Sequence, residues 1–133
     1  MVGMREVFFV IGRRGAVLWS DAGESAAALP DRRERWDVIW RLRDEIEELA
    51  HSHPAGPLGF SLEDETTMQA LAAGLGRDLC FSVVAPNGTI RRLMPSQTGG
   101  DVHVGLSDEP WWASLLRRAS GMSHDKGDES WRS

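Results

Sequence analysis

Five consecutive apolar residues, Val7-Phe8-Phe9-Val10-Ile11, constrain the fold of this 133-residue chain more than any other feature. The run is far too short to span a bilayer, is rich in β-formers and is followed by Gly12. It predicts a strand buried on both faces. Gly12 to Gly15 reads as a tight connection into a second strand, Ala16 to Ser20, which makes a hairpin. Asp21 to Pro30 is small and polar and reads as a loop, with Pro30-Asp31 as a helix entry.

From Arg32 to Glu45, Trp36, Ile39 and Trp40, widened by Val38 and Leu42, form the apolar stripe of an amphipathic helix. Its two tryptophans, one turn apart, are expected to bury against a sheet. Ile46 to His53 reads as a short strand, because Pro54 bars a helix from running through His53. A glycine- and proline-containing loop follows. A second helix is predicted over 61–75, with Ser61 and Asp64 as its start, Met68, Leu71, Ala72 and Leu75 on one face, and Gly74 and Gly76 at its end. Leu79 to Ala85 and Thr89 to Met94 read as strands joined by a turn at Pro86-Asn87-Gly88. Pro95 to Gly105 reads as linker, Glu109 to Met122 as a short helix carrying Trp111 and Trp112, and the last eleven residues as a frayed tail. The expected class is a mixed α/β (α+β) fold: a mixed sheet flanked by two main helices.

Composition bounds the function. Hydrophobic residues make up 41% and charged residues 26%, close to globular averages. A net charge of −5 argues against a nucleic-acid binder that works by neutralising phosphates. With no apolar run long enough for a membrane span or a secretory leader, the expected setting is a cytoplasmic domain. The single cysteine, Cys80, rules out an internal disulfide framework and a multi-cysteine zinc site. His103 and His124 lie in the expected linker and tail, outside any motif.

The segment His51-Ser52-His53-Pro54 followed by Ser61-Leu62-Glu63-Asp64 carries the chemistry. In a strand, residues i and i+2 share a face, so His51 and His53 present two imidazoles side by side. The loop after Pro54 turns the chain back, so that the first turn of the next helix faces them and Asp64 supplies a carboxylate. Two imidazoles and a carboxylate suit Zn²⁺ and leave a fourth position for water, the arrangement of a catalytic site. Taken singly, His-x-His and Ser-x-x-Asp have bland explanations, a solvated pair and a helix cap.

Their combination, His51-x-His53, seven residues, Ser61, two residues, Asp64, resembles the motif of the JAB/MPN (JAMM) zinc metalloproteases without insertion or deletion. The order of elements over roughly residues 6–93 is similar to that family's core. The resemblance implies a JAB/MPN-like (cytidine-deaminase-like) sandwich, with a metallohydrolase core over 1–94, a linker over 95–108 and a helix and tail over 109–133. It implies a zinc-dependent hydrolase of peptide or isopeptide bonds in which His51, His53 and Asp64 bind Zn²⁺ and Ser61 steadies the developing oxyanion. A glutamate just before or within the first core strand would be the general base. Glu6 fits that position, and Glu24 is the alternative. The short approach to the first strand and the lack of long insertions make the chain similar to the compact prokaryotic branch. The implied partner is a peptide or protein substrate such as a ubiquitin-like or sulfur-carrier protein, rather than ubiquitin itself. Two other functions fit the same residues: a non-catalytic binding module, and a zinc amidohydrolase acting on a small molecule.

Overall fold

The computed structural model of the chain describes residues 4–23, 33–95, 102–104 and 109–122. Strand β1 (Val7–Ile11) is buried at all five positions, as its unbroken apolar run requires. A single 3-10 turn at Arg13–Gly15 leads to β2 (Val17–Ala22), which pairs antiparallel with β1 around a bulge at Val10/Ile11. This strand runs two residues past its expected end. Asp21, assigned to a loop from sequence, is buried there because Arg35 neutralises it at 2.9 Å.

Helix α1 (Arg33–Arg41) packs through Val38 and Ile39, with Arg35 buried beside them. The expectation that Trp36 and Trp40 are core residues is overturned: they are 39% and 56% exposed. With Arg35 bonded to Asp21 and its guanidinium over the Phe8 ring, the helix is rotated so that both indoles face outward. Trp40 lies under Arg43 instead. The helix is also shorter than expected, giving way to turns at 42–45.

Strand β3 (Glu48–Ser52) pairs antiparallel with β1 and parallel with β4 (Leu79–Ala85). A parallel pair needs a crossover, and α2 (Leu62–Leu75) supplies it. β5 (Gly88–Met94) returns from β4 through the two residues Pro86-Asn87, since Gly88 already pairs with Ala85. The stretch expected to be linker contributes a sixth strand, β6 (Val102–Val104), antiparallel to β5 and containing His103. The sheet order is β2-β1-β3-β4-β5-β6, and the architecture is mixed α/β.

Alternation along the strands divides the core. One face carries Phe8, Val10, Leu49 and Phe81, covered by Ile39 of α1 and Met68 and Ala72 of α2. The other carries Val7, Phe9, Ile11, Ala50 and Val84, covered by α3 (Trp111–Ser120) through Trp112, Ala113 and Leu116. The short helix expected after the linker therefore forms the third layer of the fold. Trp111, its neighbour, is 61% exposed but donates its indole N–H to the Gly15 carbonyl. Among the described residues no helix is long and apolar enough to cross a membrane. Glu24, His124 and the expected tail lie outside the described residues.

Candidate metal centre

The centre forms where the end of β3 meets the start of α2. His51 shares its face of β3 with Leu49, beneath α2, and His53 follows just past the strand. Their Nε2 atoms are 3.0 Å apart. Asp64 reaches both rings, with Oδ1 3.3 Å from His51 Nε2 and Oδ2 3.5 Å from His53 Nε2.

The start of α2 explains why Asp64 points there. Ser61 is its N-cap: Ser61 Oγ accepts the Asp64 amide at 3.0 Å, and the Ser61 amide donates to Asp64 Oδ2 at 2.8 Å. This capping box satisfies two otherwise orphaned amides and fixes the carboxylate's rotamer. With Oδ2 engaged by a backbone amide, Oδ1 is the oxygen left for a metal. Ser61 itself is exposed, and its hydroxyl serves the helix start.

His53 is oriented from behind. Its Nδ1 lies 3.0 Å from the Pro57 carbonyl, which can only accept, so Nδ1 carries the proton. In the neutral ring Nε2 then presents its lone pair to the centre. Sequence reasoning did not find this contribution. A backbone carbonyl leaves no mark in the side-chain pattern, and Pro57 stands out only as part of a proline- and glycine-containing loop.

Glu6 completes the cluster. It continues the Phe8–Val10 face of β1 by one step, and Phe8 is registered opposite His51. A Glu6 carboxylate oxygen and one nitrogen from each of the two histidines all lie within 4.8 Å of one another. The structure thus brings together Glu6, His51, His53 and Asp64, with Ser61 in the capping bonds beside them.

The donor set fits a zinc ion. Ligand atoms about 2.0–2.1 Å from a tetrahedral zinc lie about 3.3 Å apart. The two imidazole Nε2 atoms, at 3.0 Å, and His51 Nε2 with Asp64 Oδ1, at 3.3 Å, lie near that spacing, and a Glu6 oxygen stands within 4.8 Å of one nitrogen on each ring. The electrostatics agree. Burial alone would push the Asp64 carboxyl up, but hydrogen bonds from His51, His53 and the Ser61 amide hold it well below the usual carboxylate range. Burial would lower the His53 imidazole, but its bonds to Asp64 and Pro57 and the charges of Asp64 and Glu6 raise it overall. Burial pushes the Glu6 carboxyl up, against the opposing pull of His51 and His53. An acid raised by burial holds a proton more readily than an exposed carboxyl, as a group that takes and returns one must.

Cys80, expected to be a small core residue, is half-buried; burial, and next the Glu48 carboxylate, push its thiol up to about 12, so it is not a reactive thiolate. No model of a known protein family matches the chain, and no curated protein matches it either.

Proposed function

We propose that the chain is a zinc-dependent metallopeptidase or isopeptidase of the JAB/MPN (JAMM) type, on a compact version of that fold. The observation that supports it most is the convergence of two imidazole nitrogens and a carboxylate within 3.0 to 3.5 Å, with a second, protonation-prone carboxylate at their side. His51, His53 and Asp64 are the zinc ligands. Bound zinc supplies Lewis acidity toward water and the scissile carbonyl. Glu6 takes the proton of the attacking water and passes it to the leaving amine nitrogen as the C–N bond breaks. Ser61 donates from its hydroxyl to the carbonyl oxygen as negative charge develops there. The substrate is a peptide or a small protein tail of the ubiquitin-like or sulfur-carrier kind, met in the cytoplasm. A nucleic-acid partner does not suit the acidic surface.

Metal analysis of the purified protein tests this reading. About one equivalent of zinc per chain is expected, lost in the His51→Ala/His53→Ala double variant. Glu6→Gln should retain zinc and lower hydrolysis by about 10²- to 10⁴-fold, to a measurable residual rate, across a panel of ubiquitin-like tails, short peptides and simple amides. Zinc that survives the double histidine variant would remove the site. Hydrolysis of simple amides alone would favour a small-molecule amidohydrolase. Zinc binding with no turnover on any of the panel would favour a binding module.

A further inference from the structure

Glu6 precedes β1 and is held from both sides by the same remote element. On one side, the Arg5 amide donates to the Ser120 carbonyl at 2.9 Å, and Arg5 Nε donates to the Ala119 carbonyl at 3.1 Å. On the other, the Val7 amide donates at 2.9 Å to Ser52 Oγ. Ser52 lies between the two histidines in sequence but points to the opposite face of the sheet. There its hydroxyl lies 2.6 Å from Ser120 Oγ, which in turn bonds the Leu116 carbonyl at 2.7 Å. Ser52 and Ser120 are both fully buried. The register of β1 with β3 runs from Ile11↔Glu48 to Phe8↔His51, so Val7 stands one step beyond that ladder and Ser52 takes its amide. The Glu6 carbonyl accepts from the Gly23 amide at 2.8 Å, anchoring the residue to the end of β2 as well.

We propose that the last turn of α3 is a positioning element for Glu6: Ser120, acting through its carbonyl on Arg5 and through Ser52 on Val7, fixes where the Glu6 carboxylate stands against His51 and His53. Ser120 and Ser52 touch neither substrate nor metal in this role. They act through Glu6, as outer partners act on a metal site's working groups. That Glu6 is a base rests on the proposed hydrolysis; that α3 clamps its segment does not.

Amide hydrogen exchange and steady-state kinetics on full-length Ser120→Ala test it, with Arg5→Ala as a second variant whose altered side chain is exposed and does not threaten folding. The Val7 amide in Ser120→Ala, and the amide of residue 5 in Arg5→Ala, are expected to exchange at least about tenfold faster, with Phe9 and Val10 unchanged. Zinc stoichiometry and KM should hold while kcat falls about tenfold. In a Glu6→Gln background the same Ser120→Ala change should cost less than about twofold, because the group it acts through is gone. Unchanged exchange at both amides would overturn the clamp, as would faster exchange along all of β1. An equal kcat loss with and without Glu6 would overturn the route through it. If the wild-type protein binds no zinc, the hydrolase reading fails and the exchange data alone decide the clamp.

Discussion

In the metal-free protein Glu6, His53 and Asp64 face one another with shifted proton affinities, and the signs of those shifts define a stability window. His53 is raised, so its contribution is complete below about pH 6.5 and is lost as pH rises through its folded value. Glu6 is also raised, so its contribution too is present at low pH and is lost on the way up. Asp64 is lowered, so its contribution is present above about pH 4 and is lost as pH falls. With chelator present, thermal stability is expected to peak between about pH 4 and 6.5 and to decline toward pH 8. With excess zinc the decline should disappear or reverse, because the metal requires neutral imidazoles. Thermal melts across pH, with and without chelator, check both halves. A metal-free Tm that rises from pH 6 to 8 would contradict the assigned directions. At this scale much of the site was legible: spacing named His51, His53, Ser61 and Asp64, and the resemblance to the JAB/MPN motif pointed to Glu6, with Glu24 as the alternative. It could not name Pro57, whose contribution is a carbonyl, or Ser52, whose hydroxyl works on the far side of its own strand.

Helix α2 begins on the bonds that aim Asp64, so the element's start and the site's geometry are the same feature. Ser61→Ala removes the acceptor of the Asp64 amide and should cost about 1 kcal/mol, seen as a lower Tm. Ser61→Asn can still cap and should recover most of that loss. If the Ser61 hydroxyl also assists the reaction, neither variant regains full turnover, so Tm and kcat part company in Ser61→Asn. Full kcat in that variant would confine Ser61 to capping. The bounds of α2 were legible because capping chemistry and the Gly76 C-cap are local. The rotation of α1 was not. Its apolar positions pointed Trp36 and Trp40 inward, but the buried Arg35–Asp21 pair, which joins residues far apart in sequence, sets the helix differently. The two β2 residues read as loop were missed for the same reason: charge pairing across elements does not show in hydropathy.

Three layers make the folded molecule, and the third is the short helix that the sequence set outside the expected 1–94 core. Without α3 the sheet face of Val7, Phe9, Ile11, Ala50 and Val84 is bare. Trp112 and Leu116 each contribute about 1.5–3 kcal/mol by burial, against a net stability of about 5–15 kcal/mol for a domain. A chain cut after Met94, the boundary expected from sequence, should therefore lack a cooperative thermal transition and show a poorly dispersed NMR spectrum. A well-folded 1–94 fragment would show that α3 is dispensable. The strands themselves were legible, since β1, β4 and β5 are local apolar runs with turn signals. The closing layer was not, because nothing local says which sheet face a distant amphipathic helix will cover.

The aromatic inventory gives these layers an optical readout. With no tyrosine in the chain, near-ultraviolet emission comes essentially from indoles. Trp19 meets Phe8 edge-on, 6.4 Å between ring centres, on the strand that leads to Glu6, while Trp112 is sealed against the opposite face. Keeping Trp19 or Trp112 as the sole tryptophan, with the other five replaced by phenylalanine, leaves one indole to report its own side of the sheet. Loosening near the ligands and detachment of the C-terminal layer then become separable signals in a cuvette.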